Sequence, residues 1–276
     1  MLDGGMPEGT RGRRSIRRLR VSLVYIDPVE RTARLILAYD GTEFAGWQLQ
    51  PRQRTVQGVL EDALEELLGR AVRVTAAGRT DSGVHAQGQV VSVPLLEGER
   101  LPLSAFTKGL NGILPDDVAV QDAVFAEHGF DARRAARGKL YRYRIRNGPS
   151  RSPLHRRTHW EIFRPLDLGS MAEAARALIG EHDFAAFRAA DCPAKTTVRR
   201  LDRAELSGKP GGEIAFEVRG TAFLKHMVRN LVGTLVDVGR GKRAAADMAR
   251  LFAGRDRREA GPTAPAHGLT LVEVYY

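Results

Sequence analysis

Two glycines bracket one acidic residue in the segment that most restricts how this chain can fold, residues 77–86. Gly78 and Gly83 lie on either side of Asp81, and glycine is used where a chain turns sharply or where another group approaches the backbone. Valine-rich stretches typical of β-strands lie on both sides of the segment. The pattern predicts a rigid loop between strands that displays Asp81, a common position for catalytic groups. An ordinary turn with a solvated acid explains the same ten residues more simply.

The spacing of apolar residues predicts alternating strands and helices. Leu35, Leu37 and Tyr39 recur at the period of two that is typical of one strand face. Apolar side chains over residues 56–67 recur on one helical face, with acidic residues opposite and Gly69 as the stop. We therefore predict a strand followed by an amphipathic helix that belongs to a core.

Residues 147–153 are dense in turn-forming residues and predict a linker near the middle of the chain. We place an N-terminal half at residues 31–149 and a C-terminal half at residues 150–276. In the second half the alternation predicts helices over residues 171–179 and 223–238, and strands over residues 214–218 and 270–275.

The chain carries a formal net charge of +10 and a pI near 10.2, which favours a polyanionic partner such as nucleic acid. Residues 131–164 hold eleven Lys or Arg and two acids, interleaved with four aromatic side chains. Within them, residues 139–146 predict a strand with one basic face. Basic side chains hold phosphates and aromatic ones stack on unpaired bases. Alternatively, the excess of Arg over Lys reflects genome composition, and charge runs are often solvated faces.

No apolar run approaches the roughly 18 residues that span a bilayer, and the N-terminus lacks the apolar core of a signal peptide. The single Cys192 cannot form an internal disulfide and has no neighbouring base. We therefore expect a cytoplasmic protein with no membrane partner. Residues 1–30, which contain six Arg between residues 11 and 20, are expected to form a basic, disordered extension.

Neither metal nor nucleotide chemistry is indicated. His155 and His159 lie four residues apart, but two arginines separate them and no carboxylate lies close by in the sequence. Residues 239–242, Gly-Arg-Gly-Lys, lack the full spacing of a phosphate-binding loop and a preceding strand, so we interpret them as a helix end. We expect no cofactor.

Gly78-Arg79-Thr80-Asp81, followed by Gly83-Val84-His85-Ala86, resembles the catalytic signature of the tRNA pseudouridine synthase A family, in which the Asp is the nucleophile. The resemblance extends in order over roughly residues 33–276, with small departures at Ser82 and at residues 131–134. Four further blocks carry it: residues 39–42 with 46–48, residues 141–143, residues 187–190 with 194–195, and residues 223–233.

The resemblance implies roles for four residues. Asp81 is the nucleophile, and Arg229 reaches it and keeps the carboxylate ionised. Tyr141 stacks on the target base, and Arg79 holds an RNA phosphate or supports the flipped nucleotide. From the sequence alone, Arg229 fits a surface or ion-pair arginine on a helical stripe with Lys225 and Gly233, and Tyr141 fits a core tyrosine.

The resemblance also implies an α+β fold of two related halves, each an antiparallel sheet with helices on one face, with the active-site cleft between them. The implied activity is isomerisation of uridine to pseudouridine at positions 38 to 40 of the tRNA anticodon arm, by a homodimer without a cofactor. Asp81 attacks either carbon 6 of the base or the anomeric carbon. The alternative is a non-catalytic RNA-binding protein, but plain binding requires no acid facing a polyanion.

Overall fold

The computed structural model describes Met1 and residues 29–276, with side-chain burial given from residue 31 onward. The first strand begins at Val29. The predicted basic extension, residues 1–30, therefore lies almost wholly outside the described residues.

Ten strands of the described chain form one sheet. They are β1 (Val29–Tyr39), β2 (Thr75–Ala76), β3 (His85–Leu96), β4 (Val118–Ala126), β5 (Gly138–Asn147), β6 (Trp160–Ile162), β7 (Gly180–Asp183), β8 (Val198–Gly208), β9 (Glu213–Gly220) and β10 (Leu269–Tyr275). The spatial order is β4-β1-β3-β10-β5-β9-β8-β7, with β2 paired to β3 and β6 paired to β5.

The predicted α+β class is confirmed, but the sheet is continuous and mixed where two antiparallel sheets were expected. Strands β4, β1 and β3 pair antiparallel, as do β5, β9, β8 and β7. The C-terminal strand β10 joins the two groups, because it pairs parallel with β3 and antiparallel with β5. Strand β5 precedes the predicted linker at residues 147–153, yet it pairs with strands that follow that linker.

Five α-helices accompany the sheet within the described residues: α1 (Val56–Leu68), α2 (Leu110–Ile113), α3 (Leu168–Arg176), α4 (Met227–Gly239) and α5 (Asp247–Gly254). The prediction of α1 is confirmed at both ends. The Thr55 side chain accepts a hydrogen bond from the Gly58 amide at the start, and Gly69 ends the helix in the left-handed conformation.

Helix α4 begins four residues later than predicted. His226 precedes it with a φ of 61°, a left-handed conformation that a right-handed helix cannot include. Lys225 therefore lies outside the helix, and the predicted stripe keeps only Arg229 and Gly233. A Cβ atom on Gly233 would lie 1.6 Å from the Pro262 carbonyl oxygen, so this face of α4 packs directly on backbone.

The valine-rich stretch before the Asp81 loop is buried but is not a strand, contrary to its pattern. Val72 and Val74 are at most 6% exposed, and only the next two residues pair with β3 as β2. The Val74 amide instead donates a hydrogen bond to the Glu61 carboxylate of α1 at 3.0 Å. A side chain of α1 has replaced a strand partner there.

Candidate active site

The loop between β2 and β3 carries Asp81 and is held mainly by backbone hydrogen bonds. The Trp47 amide donates to the Thr80 carbonyl oxygen at 3.0 Å, and the Val84 amide donates to the Asp81 carbonyl oxygen at 3.1 Å. A Cβ atom on Gly46, whose φ is 97°, would lie 2.8 Å from the same Thr80 oxygen. These contacts leave the Asp81 side chain 29% exposed. Asp81 therefore lies partly exposed on a hydrogen-bonded loop between β2 and β3, where the sequence pattern predicts it.

A buried polar network lies beneath this loop. The Tyr39 hydroxyl and the Thr80 hydroxyl are 2.8 Å apart, and the Gln89 side-chain amide donates to the Gly78 carbonyl oxygen at 2.8 Å. Gln89 is fully buried, and burial raises the pKa of Tyr39 to about 12. The network holds Gly78 and Thr80, the residues on either side of Arg79, and Thr80 is also the residue before Asp81.

Two side chains from the start of α4 reach Asp81. Arg229 Nη1 and His226 Nε2 each lie 3.5 Å from Asp81 Oδ2. The Arg229 side chain is 15% exposed, and its Nε donates to the Ala264 carbonyl oxygen at 2.8 Å. The Arg229 guanidinium therefore brings a cationic hydrogen-bond donor beside the Asp81 carboxylate. The structure therefore places Arg229 beside Asp81, as the resemblance implies.

Tyr141 and Tyr143 lie on the same face of β5 but differ in environment. Tyr143 is fully buried, and its hydroxyl donates to the Pro265 carbonyl oxygen at 2.8 Å. Tyr141 is 8% exposed, packs edge-on against Phe223, and makes no hydrogen bond through its hydroxyl within the described residues. Burial raises the pKa of Tyr141, and the nearby Asp81 charge adds to the effect. Tyr141 therefore belongs to the surroundings of Asp81, while Tyr143 is a core residue.

Arg79 makes no hydrogen bond or ion pair with the other three predicted residues. Its side chain is exposed and forms no ion pair or hydrogen bond with the described part of the chain. The Arg79 guanidinium is free to meet an external anion.

His226 lies within the block 223–233, but no sequence pattern predicted a role for it. The feature that marks His226 is its backbone conformation, which only the structure shows. His226 is one of three described non-glycine residues with a positive φ, a conformation that is uncommon outside glycine and often marks functional positions. Burial lowers the pKa of His226, opposed by the Asp81 charge and assisted by Arg229.

A second cluster of titratable groups forms around His155 and His159, which have no carboxylate close by in the sequence. Glu213, from β9, places Oε1 3.2 Å from His155 Nε2, and His159 packs against His155 with ring centroids 4.7 Å apart. One ligand atom from each of the three residues lies within 4.8 Å of the others, so the cluster could hold a metal ion. The expectation of no metal at His155 and His159 relied on sequence neighbours alone, and Glu213 supplies the missing carboxylate.

The predicted basic face of β5 is partly neutralised. Arg142 forms a 2.6 Å ion pair with Glu217 of β9. Six other basic residues of the 131–164 segment are exposed and form no ion pair with described residues: Arg133, Arg134, Arg137, Arg151, Arg156 and Arg164. The described helices are too short or too polar for any of them to cross a membrane.

Comparison with known proteins shows extensive similarity. The family model for tRNA pseudouridine synthase matches residues 35–132 and 174–276, which include Arg79, Asp81 and Arg229 but not Tyr141. The chain is 55% identical over 244 residues to tRNA pseudouridine synthase A of Myxococcus xanthus, covering 88% of this chain and 91% of that protein. It is 50% identical over 246 residues to the protein of the same name from Geobacter sulfurreducens, covering 89% and 100%.

A solved archaeal box H/ACA sRNP Nop10-Cbf5 complex shows a distant likeness, with a TM-score of 0.35 and 12% identity over 83% of this chain and 60% of that one. The family model covers most of this chain, and the bacterial relatives align along nearly their whole length. The chain therefore belongs to the tRNA pseudouridine synthase family, whose members isomerise uridine to pseudouridine.

Proposed function

We propose that this protein isomerises uridine to pseudouridine in the anticodon stem-loop of tRNA, at positions 38 to 40, with Asp81 as the nucleophile. One observation carries the proposal: a partly exposed carboxylate on a rigid loop lies 3.5 Å from the guanidinium of Arg229. An acid facing a polyanion is unfavourable for binding alone, whereas a nucleophile must be ionised and reachable. This argument favours an enzyme over a non-catalytic RNA-binding protein.

The residues around Asp81 suit the steps of the reaction. Uracil must leave the RNA stack, detach from its ribose, turn, and rejoin through carbon 5. The ring of Tyr141 offers a flat apolar wall that holds the base without fixing its rotation. Arg229 brings a cation beside the Asp81 carboxylate and orients it for attack on either carbon 6 or the anomeric carbon. The isomerisation adds no group and involves no net oxidation or reduction, so the proposed chemistry calls for no cofactor.

Binding of the tRNA is assigned to cationic side chains without described partners. Arg79 lies two residues from Asp81 and is exposed, so it is placed to hold a phosphate beside the flipped nucleotide. The exposed arginines of residues 131–164 extend the basic surface. The resemblance adds two further parts of the proposal: a homodimer that shares one tRNA, and a cytoplasmic location.

The test is to incubate the purified protein with unmodified tRNA and map pseudouridine along the anticodon arm, with Asp81→Asn in parallel. We expect pseudouridine at one or more of positions 38 to 40 with the native protein. The Asp81→Asn variant should form none, while its tRNA affinity stays within about tenfold, because the substitution removes only the covalent route. Modification outside the anticodon arm would overturn the proposed position. Turnover by the variant would overturn the proposed nucleophile.

A further inference from the structure

Every route from uridine to pseudouridine ends with the loss of a proton from carbon 5. Once carbon 5 is bonded to the ribose it still carries its original hydrogen, and the aromatic ring is restored only when that hydrogen leaves as a proton. The mechanism therefore requires a base near the target uracil.

The side chains assigned to the cleft above are poorly suited to accept that proton. The Arg229 guanidinium carries only hydrogen-bond donors and no acceptor. Burial raises the pKa of Tyr141, so its phenol keeps its proton. The hydrogen bond from Lys225 to Asp191, 2.5 Å long, raises the pKa of Lys225 and keeps it charged.

His226 differs from these groups in both place and chemistry. Its Nε2 lies 3.5 Å from Asp81 Oδ2, and its side chain is 29% exposed, so a substrate that reaches Asp81 also reaches the imidazole. His226 is the residue that precedes α4, and its left-handed backbone sets the direction of its imidazole ring. Such backbone strain persists only where the surrounding structure holds it, and it clusters at active sites.

The charges around His226 come from several parts of the chain. Asp81 belongs to the β2–β3 loop, Arg229 to α4, Lys225 to the segment before α4, and Asp191 to the segment between β7 and β8. Burial is the largest influence and lowers the pKa of His226, with the two cations acting in the same direction and the two acids opposing them. A neutral imidazole at neutral pH is a competent proton acceptor.

We propose that His226 is the base that removes the proton from carbon 5, an inference that rests on the proposed function. The C5–H bond breaks and the proton passes to His226 Nε2. The electron pair closes the C5–C6 double bond of pseudouridine. The displaced pair goes to N1, which takes a proton from water, or to the Asp81 oxygen as its bond to carbon 6 breaks. The imidazolium then returns its proton to solvent.

The Asp81 carboxylate is the competing acceptor. It is unavailable while it is bonded to carbon 6, so a second base is required on that route.

The experiment compares variants on tRNA whose target uridine carries deuterium or hydrogen at carbon 5. Asn tolerates the left-handed backbone but provides no base, so His226→Asn tests the chemistry with the least change of fold. The matched control is His128→Asn, at an exposed position without described contacts. We expect His226→Asn to lower the single-turnover rate by about 10²- to 10⁴-fold, and deuterium to slow it more than it slows the native protein.

A second variant separates proton transfer from positioning. His226→Gly accepts the positive φ and leaves room for a free imidazole, so added imidazole should restore much of its rate. Three results would overturn the inference: a His226→Asn rate equal to that of the His128→Asn control, a slow variant without an increased isotope effect, or a glycine variant that imidazole does not rescue. If Asp81→Asn is active, the proposed function fails first. If it is inactive while His226→Asn is normal, only this inference fails.

Discussion

The two sides of the cleft hold their residues by different means. On the loop side, Asp81 sits between backbone hydrogen bonds from the 44–47 segment and a buried network of side chains. On the helix side, Arg229 is positioned by a hydrogen bond to the Ala264 carbonyl and by close packing of α4 against residues 261–262. We therefore expect substitutions on the loop side to lower both activity and stability, and substitutions on the helix side to lower activity alone.

The largest effect that tests this comparison is expected from Arg229→Ala. It removes the cation beside Asp81, and loss of one such electrostatic group commonly costs about 10²- to 10³-fold in rate. Because α4 packs through other residues, we expect little change in thermal stability. Single-turnover rates and melting curves measure the two effects. Arg229→Lys is the control, since it keeps the charge but loses the Nε contact with Ala264, and it should be intermediate. An unchanged rate for Arg229→Ala would contradict the pairing with Asp81.

On the loop side, Gln89→Leu should destabilise the fold as well as slow the reaction. The change leaves the Gly78 carbonyl without its hydrogen bond in a buried setting, which typically costs about 1–3 kcal/mol in the free energy of unfolding. Gln50→Leu is the matched control, because Gln50 is exposed and also donates to a backbone carbonyl, that of Ala45. Denaturant unfolding of the two variants measures the difference. Equal losses would show that the buried network does not support the loop.

At neutral pH the smallest effect is expected from the Tyr39 phenol, because it acts only at high pH. The pKa of Tyr39 is raised to about 12 in the folded protein but lies near 10 in an unfolded chain. Its stabilising contribution is therefore complete below about pH 10 and is lost as the pH rises toward 12, at up to roughly 1.4 kcal/mol per pH unit. Tyr39→Phe should show a shallower loss of unfolding free energy over that range. Parallel curves for the two proteins would mean that the Tyr39 phenol does not contribute to the loss of unfolding free energy at high pH.

The loop side could be predicted far more fully than the helix side. The glycines around Asp81 are local signals, and the α1 helix has its cap and stop in adjacent residues, so both were readable from the sequence. The start of α4 was misplaced because helical periodicity continues through residues 223–226, whereas the left-handed His226 interrupts it. Periodicity reports which residues can form a helix and does not report where tertiary contacts end it.

Local sequence patterns predicted the loop that displays Asp81, and the ordered motifs carried the resemblance that implied the α+β class and the pairing of Arg229 with Asp81. The tertiary structure added that His226 meets the same carboxylate oxygen as Arg229 and that Glu213 joins two histidines. The physical reason is that local signals arise from neighbours in the chain, whereas these contacts join strands and helices that are distant in sequence. These contacts form because β10 lies in the middle of the sheet, where it pairs with β3 and β5 and joins the two groups of strands.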